Sequence, residues 1–289
     1  MIGQALNIST MNDRRYASFD DSISNDLFQK LCQFIQKEYG IVLNESKKAL
    51  VIHRINKRIS KLDFTSIDEY LKFIFSDLGA FERQDLGGIL STNKTYFFRE
   101  ESHIEFLSSI VQNVTNDTSF NIWSAGCSSG EEVYTIAMAI RESKLDSPYN
   151  IDYNILGTDI SAEVLMMAQT REFKEDRLWT TPSYYKNKYF DKHECPKGSF
   201  YELDKKLLNN VSFELFNLIK DKPNFDKKFD IIFCRNVLIY FDHETRVKVV
   251  QKLFDQLNPG GYLVLGLTEG SIGSFLKLDQ VAPSIFQKK

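Results

Sequence analysis

Cysteine and histidine are scarce in this sequence, and the few that occur are widely separated. Its 289 residues include 4 cysteines and 4 histidines. The cysteines form no CxxC pair and stand at Cys32, Cys127, Cys195 and Cys234. This spacing predicts reduced thiols in a cytoplasmic protein, and the scattered histidines predict no metal site.

The sequence also lacks the apolar runs that a membrane requires. No stretch reaches the roughly 18 consecutive apolar residues of a membrane span. Residues 1–20 are polar and have no apolar signal-peptide core. Neither sign of charge is in large excess, since the net charge is −3. A slightly acidic protein has no overall attraction to nucleic acid. We therefore predict no membrane insertion and no nucleic-acid partner.

What the sequence does have is a strand–turn–helix pattern near its centre. Residues 120–123 are apolar, residues 124–130 are small, and a helical pattern begins at Glu131. Small side chains let a ligand approach the backbone, and a helix start offers free N–H groups. The turn has no lysine, so it is not a P-loop, and the acids Glu131 and Glu132 would repel a phosphate. Glu131 suits a ligand with a cationic group; the alternative is an ordinary turn whose acid favours the helix start.

The next predicted strand adds a second feature of a nucleoside site. It covers residues 153–160 and ends in Asp159. An acid at the end of the second strand accepts both hydroxyls of a ribose. A nucleoside without phosphates, joined to a cationic tail, describes S-adenosylmethionine, which we predict as the cofactor. The alternative is a chance acid at a strand end.

The patterns along the chain predict its domains. We expect a disordered leader over residues 1–20, a helical N-terminal domain over 21–90, a linker and junction helix over 91–118, and an S-adenosylmethionine-binding domain over 119–289. The α/β rhythm of the last domain stops in residues 171–206, which we interpret as an inserted subdomain with a short hairpin. Further strands are predicted over 211–216, 229–234 and 262–267, with a turn over 258–261 and closing antiparallel strands in the tail. The fold class is therefore α/β with a doubly wound, mostly parallel sheet.

Polar side chains accompany the predicted carboxyl ends of the strands, where open α/β sheets bind ligands. Arg235, Asn236 and Tyr240 follow the strand over 229–234. Residues 91–100 precede the first strand and place Asn93, Thr95 and Arg99 near the same edge. The alternatives are a structural ion pair for Arg235 and core positions for Tyr240 and for the aromatic residues 96–98.

The predicted helix over residues 45–61 has a basic face. Its cations lie within about 60° of each other at helical spacing, and they are Lys47, Arg54, Arg58 and Lys61. No acid occurs over residues 46–62, so the face has no partner on its own helix. This pattern predicts a docking face for an acidic partner; the alternative is a solvated surface helix.

Several of these motifs together resemble the chemotaxis receptor methyltransferases (CheR). The matching runs are residues 92–100 (TNKTYFFRE), 122–132 (IWSAGCSSGEE), 157–160 (GTDI), 233–241 (FCRNVLIYF) and 257–261 (LNPGG). The first and fourth runs are specific to that family, and the likeness extends from about residue 25 to the C-terminus.

The resemblance implies a helical domain packed on a class I methyltransferase domain that carries an inserted small β-subdomain. It implies cofactor contacts at Asn93, Thr95, Arg99, Glu131, Asp159, Asn217, Leu218, Arg235 and Asn236. It also implies Arg99 and Tyr240 as the catalytic pair and the basic second helix as the docking face.

The activity implied by the resemblance is methylation of glutamate side chains on the cytoplasmic helical domain of membrane chemoreceptors. The products are glutamyl methyl esters and S-adenosylhomocysteine, and the enzyme is expected to be a monomer. The alternative is a retargeted or non-enzymatic cofactor-binding scaffold. A nucleic-acid methyltransferase is less favoured, because the sequence lacks the Asn/Asp-Pro-Pro-Tyr/Phe motif of enzymes that act on flipped-out bases.

Two stretches depart from the family pattern. Residues 266–269 read Gly-Leu-Thr-Glu, where the family often has Gly-His-Ser-Glu. The loop over residues 193–198 is not rich in glycine, unlike the loop with which some members hold a receptor's C-terminal peptide. We therefore expect no peptide tether in this chain.

Overall fold

The computed structural model describes residues 23–62, 64–145, 147–196 and 198–289. The leader predicted over residues 1–20 lies outside them. Among the described residues, no helix combines the length and the apolar character needed to cross a membrane.

The N-terminal part of the described chain is helical, as predicted. Its helices are α1 (Asn25–Tyr39), α2 (Lys48–Ile59), α3 (Ile67–Ile74) and α4 (Ala80–Leu90). Gly40 ends α1 in the left-handed conformation at φ 69°, and its N–H donates to the carbonyl of Gln36. Ser66 begins α3, where its hydroxyl accepts the N–H of Glu69 at 3.1 Å. Helix α5 (Glu101–Gln112) then leads to the sheet.

The second part is the predicted α/β fold. Its seven-stranded sheet has the order β6-β2-β1-β7-β8-β10-β9. The strands are β1 (Thr118–Ala125), β2 (Ile151–Asp159), β6 (Val211–Leu215), β7 (Phe229–Cys234), β8 (Leu257–Leu265), β9 (Asp279–Ala282) and β10 (Ile285–Gln287). All pairs are parallel except those of β10 with β8 and β9. The connecting helices include α6 (Glu131–Ser143), α7 (Ala162–Thr170), α9 (His243–Asp255) and α10 (Ser271–Phe275).

An antiparallel sheet with the order β3-β5-β4 interrupts this fold between α7 and β6. It consists of β3 (Glu172–Lys174), β4 (Phe190–Cys195) and β5 (Gly198–Leu203), with α8 (Ser183–Tyr189) before β4. Strands β4 and β5 form the predicted hairpin.

The turn predicted over residues 258–261 is wrong. These residues lie inside β8, where they interrupt the regular pairing with β7. Leu257 before them pairs with Phe229, and Tyr262 after them pairs with Ile231. Gly260 takes a φ of +79° there, and the backbone of Lys288 hydrogen-bonds to Gly260 and Gly261. Glycine therefore shapes a bulge in a strand rather than ending one.

Alternating residues of the parallel strands bury apolar side chains on both faces of the sheet. On one face, Trp123 and Ile232 pack with helices α1–α4 and α9. On the other, Ile122 and Ile231 pack with α5, α6 and the small antiparallel sheet. The helical part and the small sheet thus cover opposite faces of the main sheet.

Candidate active site at the carboxyl edge of the sheet

A cavity opens at the carboxyl ends of the parallel strands, where doubly wound folds bind ligands. The empty space in it, with the open mouth included, is about 960 Å³. Its lining includes Tyr39, Ile41, Thr92, Asn93, Lys94, Thr95, Tyr96, Arg99, Gly126, Ser128, Glu132, Asp159, Asn217, Leu218, Arg235, Asn236 and Tyr240. Every cofactor and catalytic residue predicted from the sequence is therefore at the cavity, with the exception of Glu131.

The small-residue turn after β1 forms the floor of the cavity. Gly126 has a φ of +87°, and a side chain there would collide with Val237. The N–H groups of Gly126 and Cys127 donate to the carbonyl of Thr158 at 2.7 and 2.8 Å. Glycine is required at position 126, because the backbone there is left-handed and Val237 packs closely against it.

Asp159 ends β2 beside this turn. Its carboxylate is buried and accepts the N–H groups of Ser128 at 2.9 Å and Ser161 at 3.0 Å. Burial raises the pKa of Asp159, while these backbone donors lower it. A carboxylate has about four lone-pair positions, so Asp159 keeps capacity to accept further hydroxyl groups from the cavity.

Glu131 turns away from the cavity although it begins α6. Its carboxylate is fully buried and bonds to the guanidinium of Arg177, from the inserted subdomain, and to the hydroxyl of Ser129 at 2.8 Å. Consecutive helical residues point about 100° apart, so the next acid, Glu132, faces the cavity instead. Its oxygens bond to Ser124 at 2.7 Å and Arg235 at 3.2 Å.

The Arg235 guanidinium is buried and pairs with two partly buried carboxylates, which fits the ion-pair interpretation of this residue. It pairs with Glu100 at 3.1 Å and Glu132 at 3.2 Å, and it donates to the carbonyl of Arg99. Burial raises the pKa of Glu100, but its contacts with His103, Arg235 and Asn236 outweigh burial and lower it to about 2. Arg235 therefore joins three elements of the cavity wall.

Glu269 anchors the loop that carries Asn236 and Tyr240. Its buried carboxylate accepts the N–H groups of Asn236 at 2.7 Å, Ile239 at 3.0 Å and Gly266 at 3.0 Å. Asn236 itself has a φ of 60°, a conformation that asparagine tolerates better than most residues. The departure from the family pattern at residues 267–268 thus leaves the anchoring acid in place.

The Asn236 side chain keeps an unused acceptor at the cavity. Its Nδ2 donates to Glu100 at 3.2 Å, whereas its Oδ1 is buried without a hydrogen-bond partner in the described part of the chain. A buried acceptor is costly unless a ligand or water satisfies it. The site therefore fits a ligand with N–H donors as well as ribose hydroxyls, as S-adenosylmethionine has.

The segment before α5 forms the second wall. The Asn93 carbonyl accepts the Ser128 hydroxyl at 3.1 Å, and the Thr92 carbonyl accepts the Tyr240 hydroxyl at 3.2 Å. The Arg99 guanidinium lies 5.4 Å from the centre of the Tyr96 ring. Of the aromatic residues 96–98, Phe97 and Phe98 are core, and Tyr96 lines the cavity.

Asn217 and Leu218 line the cavity after β6. The Asn217 amide is already engaged, since it accepts the N–H of Ile219 at 2.8 Å and donates to the carbonyl of Glu38 at 2.9 Å. Asn217 therefore shapes the wall through the turn it stabilises, and Leu218 supplies apolar surface.

The basic face has no partner on its own helix, but its two arginines bond to other segments of the chain. Arg58 forms an ion pair with Glu82 at 2.6 Å and contacts Asp85 at 3.2 Å. Arg54 donates to the carbonyl of Leu90 and to the Thr92 hydroxyl. These partners come from α4 and the segment after it, which the sequence of α2 alone does not reveal.

The two lysines of the face are less engaged than the arginines. Lys47 donates to the carbonyl of Val42 at 3.1 Å. Lys61 is exposed at the end of α2, and no ion pair involves it in the described ranges. The cationic surface left open by α2 is therefore smaller than its sequence indicates.

A doubly wound sheet, a small-residue turn without lysine and a buried acid at the end of β2 define a nucleoside-binding protein of the class I methyltransferase type. Two family models cover most of the chain: "CheR methyltransferase, all-alpha domain" over residues 26–86 and "CheR methyltransferase, SAM binding domain" over residues 93–280. The chain belongs to the CheR methyltransferase family, and it is an S-adenosylmethionine-dependent methyltransferase.

The names of similar curated proteins agree with the family models. The chemotaxis protein methyltransferase of Borreliella burgdorferi is 37% identical, and the match covers 92% of this chain and 95% of that protein. The protein of the same name from Escherichia coli is 31% identical, with 86% and 85% covered. A probable chemotaxis protein methyltransferase from Rhizobium etli is 34% identical, with 81% and 89% covered.

Proposed function

We propose that this enzyme methylates glutamate side chains on the cytoplasmic helical domain of chemoreceptors and acts as a monomer in the cytoplasm. The observation that carries the proposal is a nucleoside cavity whose described lining contains Arg99 and Tyr240 but no histidine. The usual pKa of a glutamate lies far below neutral pH, so the side chain is already a carboxylate nucleophile. Methylation of a carboxylate needs alignment and exclusion of water rather than a general base.

S-adenosylmethionine supplies a methyl group from its sulfonium, so that a carbon–sulfur bond breaks as a carbon–oxygen bond forms to the glutamate. Asp159 accepts the ribose hydroxyls. Glu132 faces the cavity where Glu131 does not, and its negative charge favours the cationic tail. Asn236 accepts an N–H of the cofactor through its unsatisfied Oδ1. These roles follow from the chemistry of the groups that line the cavity.

Both residues of the proposed catalytic pair line this cavity. Within the described ranges the Arg99 guanidinium donates one hydrogen bond, to the carbonyl of Lys94 at 3.1 Å, so its remaining N–H donors are available to orient an incoming carboxylate. The Tyr240 hydroxyl donates its single proton to the Thr92 carbonyl at 3.2 Å. It positions the acceptor oxygen by turning this O–H from Thr92 to the incoming carboxylate, which can only accept a hydrogen bond. Both residues act by holding the nucleophile in line rather than by moving protons.

Receptor docking is assigned to α2 because one of its cations, Arg54, bonds to a residue that lines the cavity. Arg54 bonds to Thr92, whose carbonyl holds Tyr240. Lys47 and Lys61 add cations, while Arg58 is largely neutralised by Glu82. The positive charge of the docking face therefore comes mainly from Lys47, Arg54 and Lys61. Arg58 instead holds α2 in place.

The activity is tested by incubating the enzyme with chemoreceptor-containing membranes and S-adenosylmethionine carrying a radiolabelled methyl group. The expected label is on the receptor and is released as volatile methanol by base, because a glutamyl methyl ester hydrolyses. Membranes without chemoreceptors serve as the control. If no receptor label forms although calorimetry detects cofactor binding, the proposal fails in favour of a scaffold or another protein target.

Replacing Tyr240 by phenylalanine is expected to lower kcat by about tenfold, the value of one hydrogen bond of roughly 1.4 kcal/mol lost at the transition state. Affinity for S-adenosylmethionine should stay within about twofold, because the ring remains in place. Initial rates and calorimetry measure the two effects. Tyr262→Phe, which removes a hydroxyl bonded to Gln287 at 3.1 Å outside the cavity, is the matched control. Equal rates for Tyr240→Phe and wild type would remove Tyr240 from the catalytic pair.

A further inference from the structure

Trp179 is exposed to an unusual extent for its size. Its residue surface is 74% accessible, whereas the other tryptophan, Trp123, is fully buried. Tryptophan buries a large area when it is covered, and it is enriched among the residues that dominate protein interfaces. An exposed indole therefore indicates a contact surface when the backbone holds it in place and it lies beside a functional site.

The backbone around Trp179 is held on both sides. Arg177 reaches the buried Glu131 at 2.8 Å, and Leu178 is buried in the core. The Thr180 hydroxyl donates to the carbonyl of Phe97 at 2.6 Å. The indole is thus presented by an anchored segment, which lowers the entropy lost when a partner covers it.

Trp179 stands beside the mouth of the cavity. Its ring is 5.7 Å from the ring of Tyr96, and Tyr96 lines the cavity together with Lys94 and Arg99. We call Tyr96 and Trp179 the aromatic lip. Neither Lys94 nor Arg99 forms an ion pair in the described ranges, so the lip is bordered by free positive charge.

An aromatic surface next to unpaired cations matches an acidic amphipathic helix. On such a helix, residues three or four positions from a glutamate share its face. When the glutamate enters the cavity, an apolar neighbour on the same face lies beside the mouth. Other acids of the helix then face Lys94.

We propose that the aromatic lip is a specificity site that receives an apolar side chain of the acceptor helix, three or four residues from the methylated glutamate. The proposal rests on the proposed receptor-methylating function. It makes Trp179 a determinant of receptor recognition without contact to the reacting atoms.

The experiment uses the fluorescence of the whole enzyme, because Trp123 is shielded and Trp179 reports alone to solvent quenchers. A tryptophan-free chemoreceptor cytoplasmic fragment is the titrant. Binding should shift the emission to shorter wavelength and reduce acrylamide quenching. The variant Trp179→Phe should show neither change.

Kinetics supply the second readout. Trp179→Ala should raise KM for the receptor fragment by about tenfold, and Trp179→Phe by less, because part of the aromatic surface is restored. kcat and the calorimetric affinity for S-adenosylmethionine should not change. The control is Leu145→Ala, since Leu145 is 62% exposed beyond the far end of α6.

The possible outcomes separate the two proposals. If the wild type methylates the fragment but Trp179→Ala keeps the wild-type KM, or if Trp179 stays open to acrylamide in the complex, the aromatic lip is wrong and the receptor activity stands. If the wild type fails to methylate the fragment, the proposed function and the lip are both overturned.

Discussion

Replacing Asp159 by alanine is expected to abolish measurable binding of S-adenosylmethionine. Two hydroxyl-to-carboxylate hydrogen bonds would be lost, each of about 1.5–3 kcal/mol, which weakens affinity by about 100-fold or more. Isothermal calorimetry on the purified enzyme measures the change. Methylation should fall in parallel, because the methyl donor no longer occupies the cavity.

A drop in affinity must be separated from damage to the fold, since Asp159 also holds Ser128 and Ser161. Ser128 and Ser161 donate to different oxygens of Asp159, so Asp159→Asn keeps an acceptor for one of these two contacts but loses the charge. It should lose less stability than Asp159→Ala and still bind poorly. Asp152→Ala, on the exposed side of the same strand, should bind normally. Wild-type affinity in both Asp159 variants would refute a ribose contact.

Replacing Arg235 by methionine is expected to cause the largest loss of stability, about 3–5 kcal/mol in the free energy of unfolding. The substitution leaves Glu100 and Glu132 facing each other without their shared cation, in a site where water reaches them poorly. Urea unfolding at neutral pH measures the loss. Lys248→Met breaks an exposed pair with Glu244 and should cost no more than about 0.5 kcal/mol.

The stability that Arg235→Met loses should depend on pH, and the direction of this dependence follows from the pKa of Glu100. The folded-state pKa of Glu100 is about 2, below the ordinary value of 4.5, so its ionised form stabilises the fold above pH 4.5. That contribution is lost as pH falls toward 2. The gap between wild type and Arg235→Met should therefore be widest near neutrality and shrink in acid. The ion-pair role would be contradicted if the difference in unfolding free energy between wild type and Arg235→Met were small at pH 7 or grew in acid.

The sequence was sufficient to predict those features that depend only on neighbouring residues along the chain. The strand ending in Asp159 and the small-residue turn after β1 follow from local periodicity and composition. These features need no knowledge of distant contacts.

The sequence was insufficient where a distant residue decides the outcome. Glu131 and Glu132 look equivalent until Arg177, from the inserted subdomain, draws the first away from the cavity. Arg58 looks unpaired until α4 brings Glu82 beside it. The same holds for residues 258–261, whose turn composition serves a bulge because β7 continues to pair on both sides.

The cavity wall draws on both parts of the chain, with Tyr39, Ile41 and Thr92 from the helical part and Asp159 and Asn236 from the sheet. Unfolding of either part destroys the binding site, so bound cofactor opposes the unfolding of both. At a cofactor concentration 100 times Kd this linkage adds about 2.7 kcal/mol. The cofactor thus acts as a thermodynamic clamp, and the loaded enzyme melts as one cooperative unit.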